Sequence, residues 1–156
     1  MKDPAQLVLD FLNTLEVDDG TDYLATRESY LRWLAARGLP ADPDDPDAEH
    51  ARAVRAVLRG AVAGDRPPAD ALTAVTLRLG LGEDGHPALT GDGPLGRILA
   101  ATAELVYDGR WVRIKLCGAD DCRWAFYDQS RNRSGRWCSM AVCGNRAKSR
   151  AFRARH

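Results

Sequence analysis

The chain has 156 residues, 45% apolar and 28% charged, a balance that points to a globular protein and away from a disordered or membrane one. No apolar run approaches the roughly 20 residues of a spanning helix, and Asp3, Asp10 and Glu16 break up the N-terminal apolar residues, unlike a secretory leader, so a cytoplasmic protein is expected. The formal net charge is zero, but residues 1–109 hold 10 Lys and Arg against 19 Asp and Glu, a net −9, while residues 110–156 hold 12 against 3, a net +9. An acidic body joined to a basic tail hints at a polyanion-binding segment attached to something else.

In chain order, Leu7, Leu9, Phe11, Leu12 and Leu15 after Pro4 predict a helix from about Pro4 to Leu15. Asn13, near its end, either points into a ligand pocket or closes the helix. LATRESYLRWLAARG predicts a second helix, with Thr26 or Ser29 as cap and Gly38 as stop. After the acidic, proline-rich ADPDDPDAEH comes a third helix, whose apolar stripe is Ala53, Val54, Val57, Leu58 and Ala61. Its arginines Arg52, Arg55 and Arg59 are expected on a solvated face. From Val75 the period changes to two, through Leu77, Leu79 and Leu81, and the turn signal GEDG precedes a second short stretch from Pro87 to Thr90. That is a hairpin. A fourth helix follows from Pro94, with Leu95, Ile98, Leu99, Ala103, Leu105 and Val106 inward and Gly109 as stop.

The tail opens with WVRIKL, whose alternation predicts a strand with Val112, Ile114 and Leu116 on one face. It leads into CGADDC, and RWAFYD returns as a second strand. All four cysteines lie here: Cys117 and Cys122, then Cys138 and Cys143, each pair separated by four residues. In a reducing cytosol such clustered thiols read as metal ligands before disulfides. Four thiolates suit the tetrahedral preference of Zn2+ and leave no open position, so the ion is expected to be structural. A segment this short also lacks the apolar surface to fold unaided, which an ion offsets. Cysteines five apart on one continuous helix would sit about 140° apart. Cys138 must therefore precede the C-terminal helix, with Ser139 as cap, or the helix must break near Gly144.

CGADDCRWAFYDQSRNRSGRWCSMAVCGNRAKSRAFRAR resembles the CGNR zinc finger, whose name-giving tetrapeptide stands here as Cys143, Gly144, Asn145 and Arg146. LVLDFLNTLEVDDGTDYLATRESYLRWLAARG resembles the start of the ABATE domain that precedes that finger. The resemblance implies a treble-clef zinc finger that binds DNA, behind a domain that senses an unidentified small-molecule effector, together a stress-responsive transcription regulator. The expected architecture is α+β. A helix-rich N-terminal domain with a small antiparallel hairpin spans residues 1–109, and a knuckle, β-hairpin and α-helix span residues 110–156.

In such a finger, Arg146, Arg150 and Arg153 share one face of the last helix, flanked by Lys148 and Arg155, while Arg131, Arg133 and Arg136 crowd the preceding turn. Arginine's planar fork suits phosphate and guanine edges, so double-stranded DNA is the expected partner. Asn145 and Arg146, beside a ligand cysteine, could instead serve sulfur or backbone acceptors. Phe152 is expected to anchor the helix to the finger core, and Trp124 and Trp137 to belong to that core, unless one is exposed and stacks on a base. His50, His86 and His156 suggest no cluster, and there is no phosphate-cradling glycine loop, nucleophile elbow or open metal site, so no enzyme is expected. Two rival readings remain. One is a protein-interaction module whose basic finger docks on acidic surfaces, including the body of a second copy as a homodimer; the other is a thiol redox sensor.

Overall fold

In the computed structural model the described residues are 3–41, 48–68, 70–72, 75–82 and 84–155. The acidic, proline-rich stretch over 42–47, Glu83 of GEDG and His156 lie outside them. Helix α1 (Pro4–Leu12) starts where the Asp3 carboxylate accepts the Ala5 N–H at 3.2 Å, with proline in the first turn, where no intrahelical partner is lost. Its apolar period buries Ala5, Val8, Phe11 and Leu12. The helix stops at Leu12, earlier than predicted, because Asn13 and Thr14 turn the chain into a two-residue strand, β1 (Leu15–Glu16), paired antiparallel with β2 (Thr21–Asp22). The turn signal for this small hairpin, Asp18-Asp19-Gly20, was in the sequence; Asp19 accepts the Thr21 N–H at 2.8 Å.

Helix α2 (Arg27–Ala36) is capped by Thr26, one of the two expected candidates, and the other, Ser29 at the third helical position, accepts the Thr26 N–H in return. It brings Tyr30, Trp33 and Leu34 onto α1, where the Trp33 and Phe11 ring centroids are 6.0 Å apart.

Helix α3 (Ala48–Ala63) corrects the expectation of a solvated arginine face. Arg55 is buried: both its terminal nitrogens reach the Asp22 carboxylate at 2.7 Å, and one also reaches the Thr14 hydroxyl at 2.9 Å. Arg52 donates to the Leu24 and Ala25 carbonyls. Arg59 donates to the carbonyls of Leu12 and Arg123. The turns that follow α1 expose carbonyls with no partner of their own, and the α3 guanidinium groups lie where they satisfy them.

Strands β3 (Leu77–Leu81) and β4 (Pro87–Gly91) form the expected antiparallel hairpin, in register Leu77↔Gly91 to Leu81↔Pro87. It lies against α4 (Gly93–Tyr107), where β4 crosses so closely that a Cβ on Gly96 would sit 2.5 Å from the Gly91 carbonyl carbon. Helix α4 buries Leu95, Ile98, Leu99 and Leu105 and packs along α1.

After α4 the expected strand over 111–116 is shortened. Trp111–Arg113 forms a single 3-10 turn, and only β5 (Ile114–Leu116) is extended, paired with β6 (Ala125–Tyr127) in register Ile114↔Tyr127 to Leu116↔Ala125. The reason is the tie just before it. Arg110 is bonded to Asp108 and Asp3, so the chain leaves α4 in a tight turn that leaves Val112 exposed while Ile114 is buried.

The last helix, α5 (Asn145–Arg155), follows a π turn over Met140–Gly144. The architecture is α+β. Its buried residues form two clusters. One joins α1 to α4 and includes Ile114 and Ala125 of the β5–β6 hairpin; the other is Cys117, Ala119 and Cys143, with Cys122, Trp137 and Cys138 against them. No helix among the described residues is long and apolar enough to cross a membrane.

Candidate metal centre

Each cysteine is held by local backbone bonds that follow from its neighbours. Strand β5 delivers Cys117, whose N–H donates to the Trp124 carbonyl at 2.8 Å; Gly118 N–H donates to the Arg136 carbonyl at 2.9 Å. The Cys122 and Arg123 N–H groups both return to the Ala119 carbonyl at 3.0 Å, closing a knuckle in which Arg123 takes a positive φ of 52°. Cys138 lies outside any helix. Ser139 caps the π turn by accepting the Val142 N–H at 3.3 Å, and Cys143 sits inside that turn. Of the two devices anticipated from the five-residue spacing the first is present, because Cys138 precedes the helix, while the π turn runs into α5 without a break at Gly144.

The four sulfur atoms lie within 4.8 Å of one another. Cys138 Sγ is 3.7 Å from both Cys122 Sγ and Cys143 Sγ. A disulfide needs about 2.05 Å. Four sulfurs each about 2.3 Å from one zinc ion would be about 3.8 Å apart at the edges of the tetrahedron. The distances match the second case, and all four cysteines are free. Burial pushes the Cys138 thiol far up and the Cys122 thiol up, a cost that a bound cation, which favours the thiolate, would offset. At Cys143 burial also pushes upward, but the Arg146 guanidinium, 3.2 Å from the sulfur, and the neighbouring thiols outweigh it and the net shift is down. The site fits one structural Zn2+ held by Cys117, Cys122, Cys138 and Cys143, with no protein-free position for a reacting water.

The turn between β6 and Cys138 is organised by a residue the sequence reading passed over. Asp128 is buried; its carboxylate accepts from Lys115 Nζ at 2.6 Å, Ser130 N–H at 3.0 Å and Gly135 N–H at 2.9 Å. The Lys115 ammonium, with these N–H groups, holds that carboxyl well below the usual carboxylate range. A Cβ on Gly135 would lie 2.5 Å from Asp128 Oδ1, so only glycine lets the loop close over the acid. Lys115 also donates to the carbonyls of Arg133 and Gly135, and Arg113 to those of Asp128 and Ser130. The Asp-x-Ser turn pattern was the available signal.

On this frame Arg131, Arg133 and Arg136 are exposed, with the Arg136 guanidinium 4.8 Å from the Trp137 ring centre. Along α5, Lys148, Arg150, Arg153 and Arg155 are exposed, and the helix buries none of its residues. Arg146 is exposed too, and besides Cys143 it reaches Asp121 at 3.3 Å. Arg150 lies 3.5 Å from the other oxygen of Asp121. Asn145 donates to the Ala141 carbonyl at 3.1 Å and so stabilises the π turn. Phe152 is 60% exposed, which corrects its expected role as an anchor; the tail has no second layer for it to enter. Trp137 does pack on the cysteines, whereas Trp124 faces the seam with the body.

Asn13 closes α1 and does more. Its amide bridges the backbone of Ala125 in both directions, donating at 2.9 Å and accepting at 2.7 Å, so it holds the body to β6, and the same residue lines a cavity at that seam.

No curated protein matches the chain. Residues 113–156 match the family model for the CGNR zinc finger. Residues 5–109 match the ABATE model, described as "Putative stress-induced transcription regulator". With two thirds of its length inside that match and the finger's four sulfurs gathered to hold one ion, the chain belongs to the ABATE family and carries a zinc-binding CGNR finger at its C-terminal end.

Proposed function

We propose that the chain is a cytoplasmic, zinc-dependent, DNA-binding transcription regulator whose N-terminal body receives a small-molecule signal, and we assign it no catalytic step. The observation that carries this reading is the exposure of α5, which buries no residue and presents Lys148, Arg150, Arg153 and Arg155 to solvent directly beyond the cysteine cluster. The ion's part is to fix the knuckle and the π turn so that this helix and the loop bearing Arg131, Arg133 and Arg136 hold one geometry toward the phosphates of a duplex. Arg146 belongs to the support of the sulfurs in this reading, and Asp121 to the alignment of Arg150.

The test is fluorescence anisotropy of the zinc-loaded chain with a mixed-sequence duplex over a range of salt. Phosphate contacts by these residues give an affinity that falls about a thousandfold between 50 and 200 mM salt. Absence of binding at the lower salt overturns the reading. The second reading, docking of the basic finger on the acidic body of another copy, is favoured by the opposite net charges of residues 1–109 and 110–156. A stable dimer at low salt, with negligible affinity for duplex, selects it.

A further inference from the structure

A cavity of about 750 Å3, a size that holds small organic molecules, lies at the seam between the body and the finger. One side is built by α1 and α2, the other by β6 with its neighbour Trp124, and Glu16 and Tyr23 of the β1–β2 hairpin complete the lining. Of the chain's 11 aromatic residues, Tyr23, Trp33, Trp124, Phe126 and Tyr127 all line it. Packing alone does not explain this concentration, because Trp124 is 37% exposed and Tyr23 44%.

The charges of the lining are unevenly satisfied. Arg32 pairs with Glu28 at 2.9 Å, and Arg37 lies 3.4 Å from Asp10 with its guanidinium 4.4 Å from the Trp33 ring centre. Glu16 has no ion-pair partner among the described residues; its charge and its hydrogen bond raise the pKa of the Tyr23 phenol. Asp18 and Asp19 place further negative charge within 4.8 Å of it. Arg37, held between an aromatic face and a carboxylate, shows the kind of group these walls accept. The cavity is also close in bonding to the metal centre. The carbonyl of Trp124 accepts the N–H of the zinc ligand Cys117 at 2.8 Å, and the next residue, Ala125, is the one clamped by Asn13.

We propose that this cavity binds a planar aromatic cation of small-molecule size through its aromatic walls and Glu16, and that occupancy reaches the metal centre through the Trp124–Cys117 backbone bond. The proposal rests on the reading that the body receives a small-molecule signal, and it places that site across the seam, with the finger's own strand as one wall. It is independent of whether the finger binds DNA.

The test uses the zinc-loaded full chain and no DNA. N-methylacridinium is the probe, against acridine-9-carboxylate, which has the same rings with negative charge, and tetramethylammonium, which has the charge without the rings. Expected is saturable binding of N-methylacridinium below about 1 mM, at least about tenfold tighter than either control. Trp124→Ala and Glu16→Gln should each weaken it about tenfold at unchanged zinc content, and Trp124→Phe should restore most of the affinity. Saturation should slow zinc transfer to a competing chelator about threefold or more, because the ligand holds β6 in place. No saturable binding, equal binding of the anion, or indifference to both substitutions overturns the site. Binding with unchanged zinc transfer overturns the link to the metal centre. Loss of duplex affinity in the separate anisotropy measurement would remove the DNA reading and leave this one standing.

Discussion

Arg55 in α3 and Arg150 in α5 both stand in rows of arginines at helical spacing, yet Arg55 is 5% exposed and bound to Asp22 and Thr14, while Arg150 is in solvent beside Asp121. The difference lies in what surrounds each helix. Helix α3 lies against the turns after α1 and β2, where carbonyls and a carboxylate need donors, and its guanidinium groups act as internal ties. Helix α5 meets little besides its own π turn and Asp121, and Lys148, Arg153 and Arg155 keep their charge in solvent. The same residue in the same pattern is therefore mortar in one region and a contact surface in the other.

The sharpest way to break this comparison is to remove one arginine of each kind. Arg55→Ala leaves the half-buried Asp22 carboxylate and the buried Thr14 hydroxyl without their cation and should cost about 2–3 kcal/mol in urea unfolding. A loss below about 1 kcal/mol would mean that α3's row is a solvated face after all. Next in size is Asn13→Ala, which leaves the Ala125 N–H and carbonyl unpaired at the seam, with an expected loss of about 1–3 kcal/mol. Hydrogen exchange at Ala125 should rise in the same variant.

Acid is a third probe. At Asp22 burial pushes the carboxyl up, but the Arg55 guanidinium and the Leu24 N–H outweigh it and the net shift is down; at Asp128 the shift is down as well. Groups with a depressed folded pKa contribute stability that is fully present above the unfolded carboxyl value of about 4 and is lost as pH falls through the folded value. Thermal melts between about pH 3 and 6 should show stability falling below pH 4, and Asp22→Asn should flatten that slope. Zinc content is read at each pH because protons also compete for the thiolates. The smallest effect on stability is expected from Arg150→Ala with Arg153→Ala, within about 0.5 kcal/mol. The same pair should lower duplex affinity and reduce the salt slope by about two.

What could be read from the sequence divides along the same line. Helices with a clear apolar stripe and the β3–β4 hairpin depend on residues close in the chain and were legible, although Val106, expected inward on α4, is exposed; the cap of α2 and the place of Cys138 were narrowed to two alternatives each. The cysteine cluster was legible for a different reason, because tetrahedral sulfur chemistry tolerates few arrangements of four thiols. What escaped were contacts made across the chain. Arg55 meets Asp22 and Arg59 meets Arg123 only after α3 has docked, Asn13 meets Ala125 only across the seam, and the 3-10 turn at Trp111 follows from the tie between Arg110 and Asp3. Phe152 was misplaced because an aromatic in an amphipathic pattern suggests a core, and α5 has no neighbouring layer to supply one.

The most direct measurement is X-ray absorption at the zinc edge of the purified chain, together with its metal stoichiometry. One zinc per chain, with four sulfur neighbours at about 2.3 Å and no oxygen or nitrogen in the shell, is the expected result. Fewer than four sulfurs, a light-atom ligand, or zinc absent from a folded chain would contradict it.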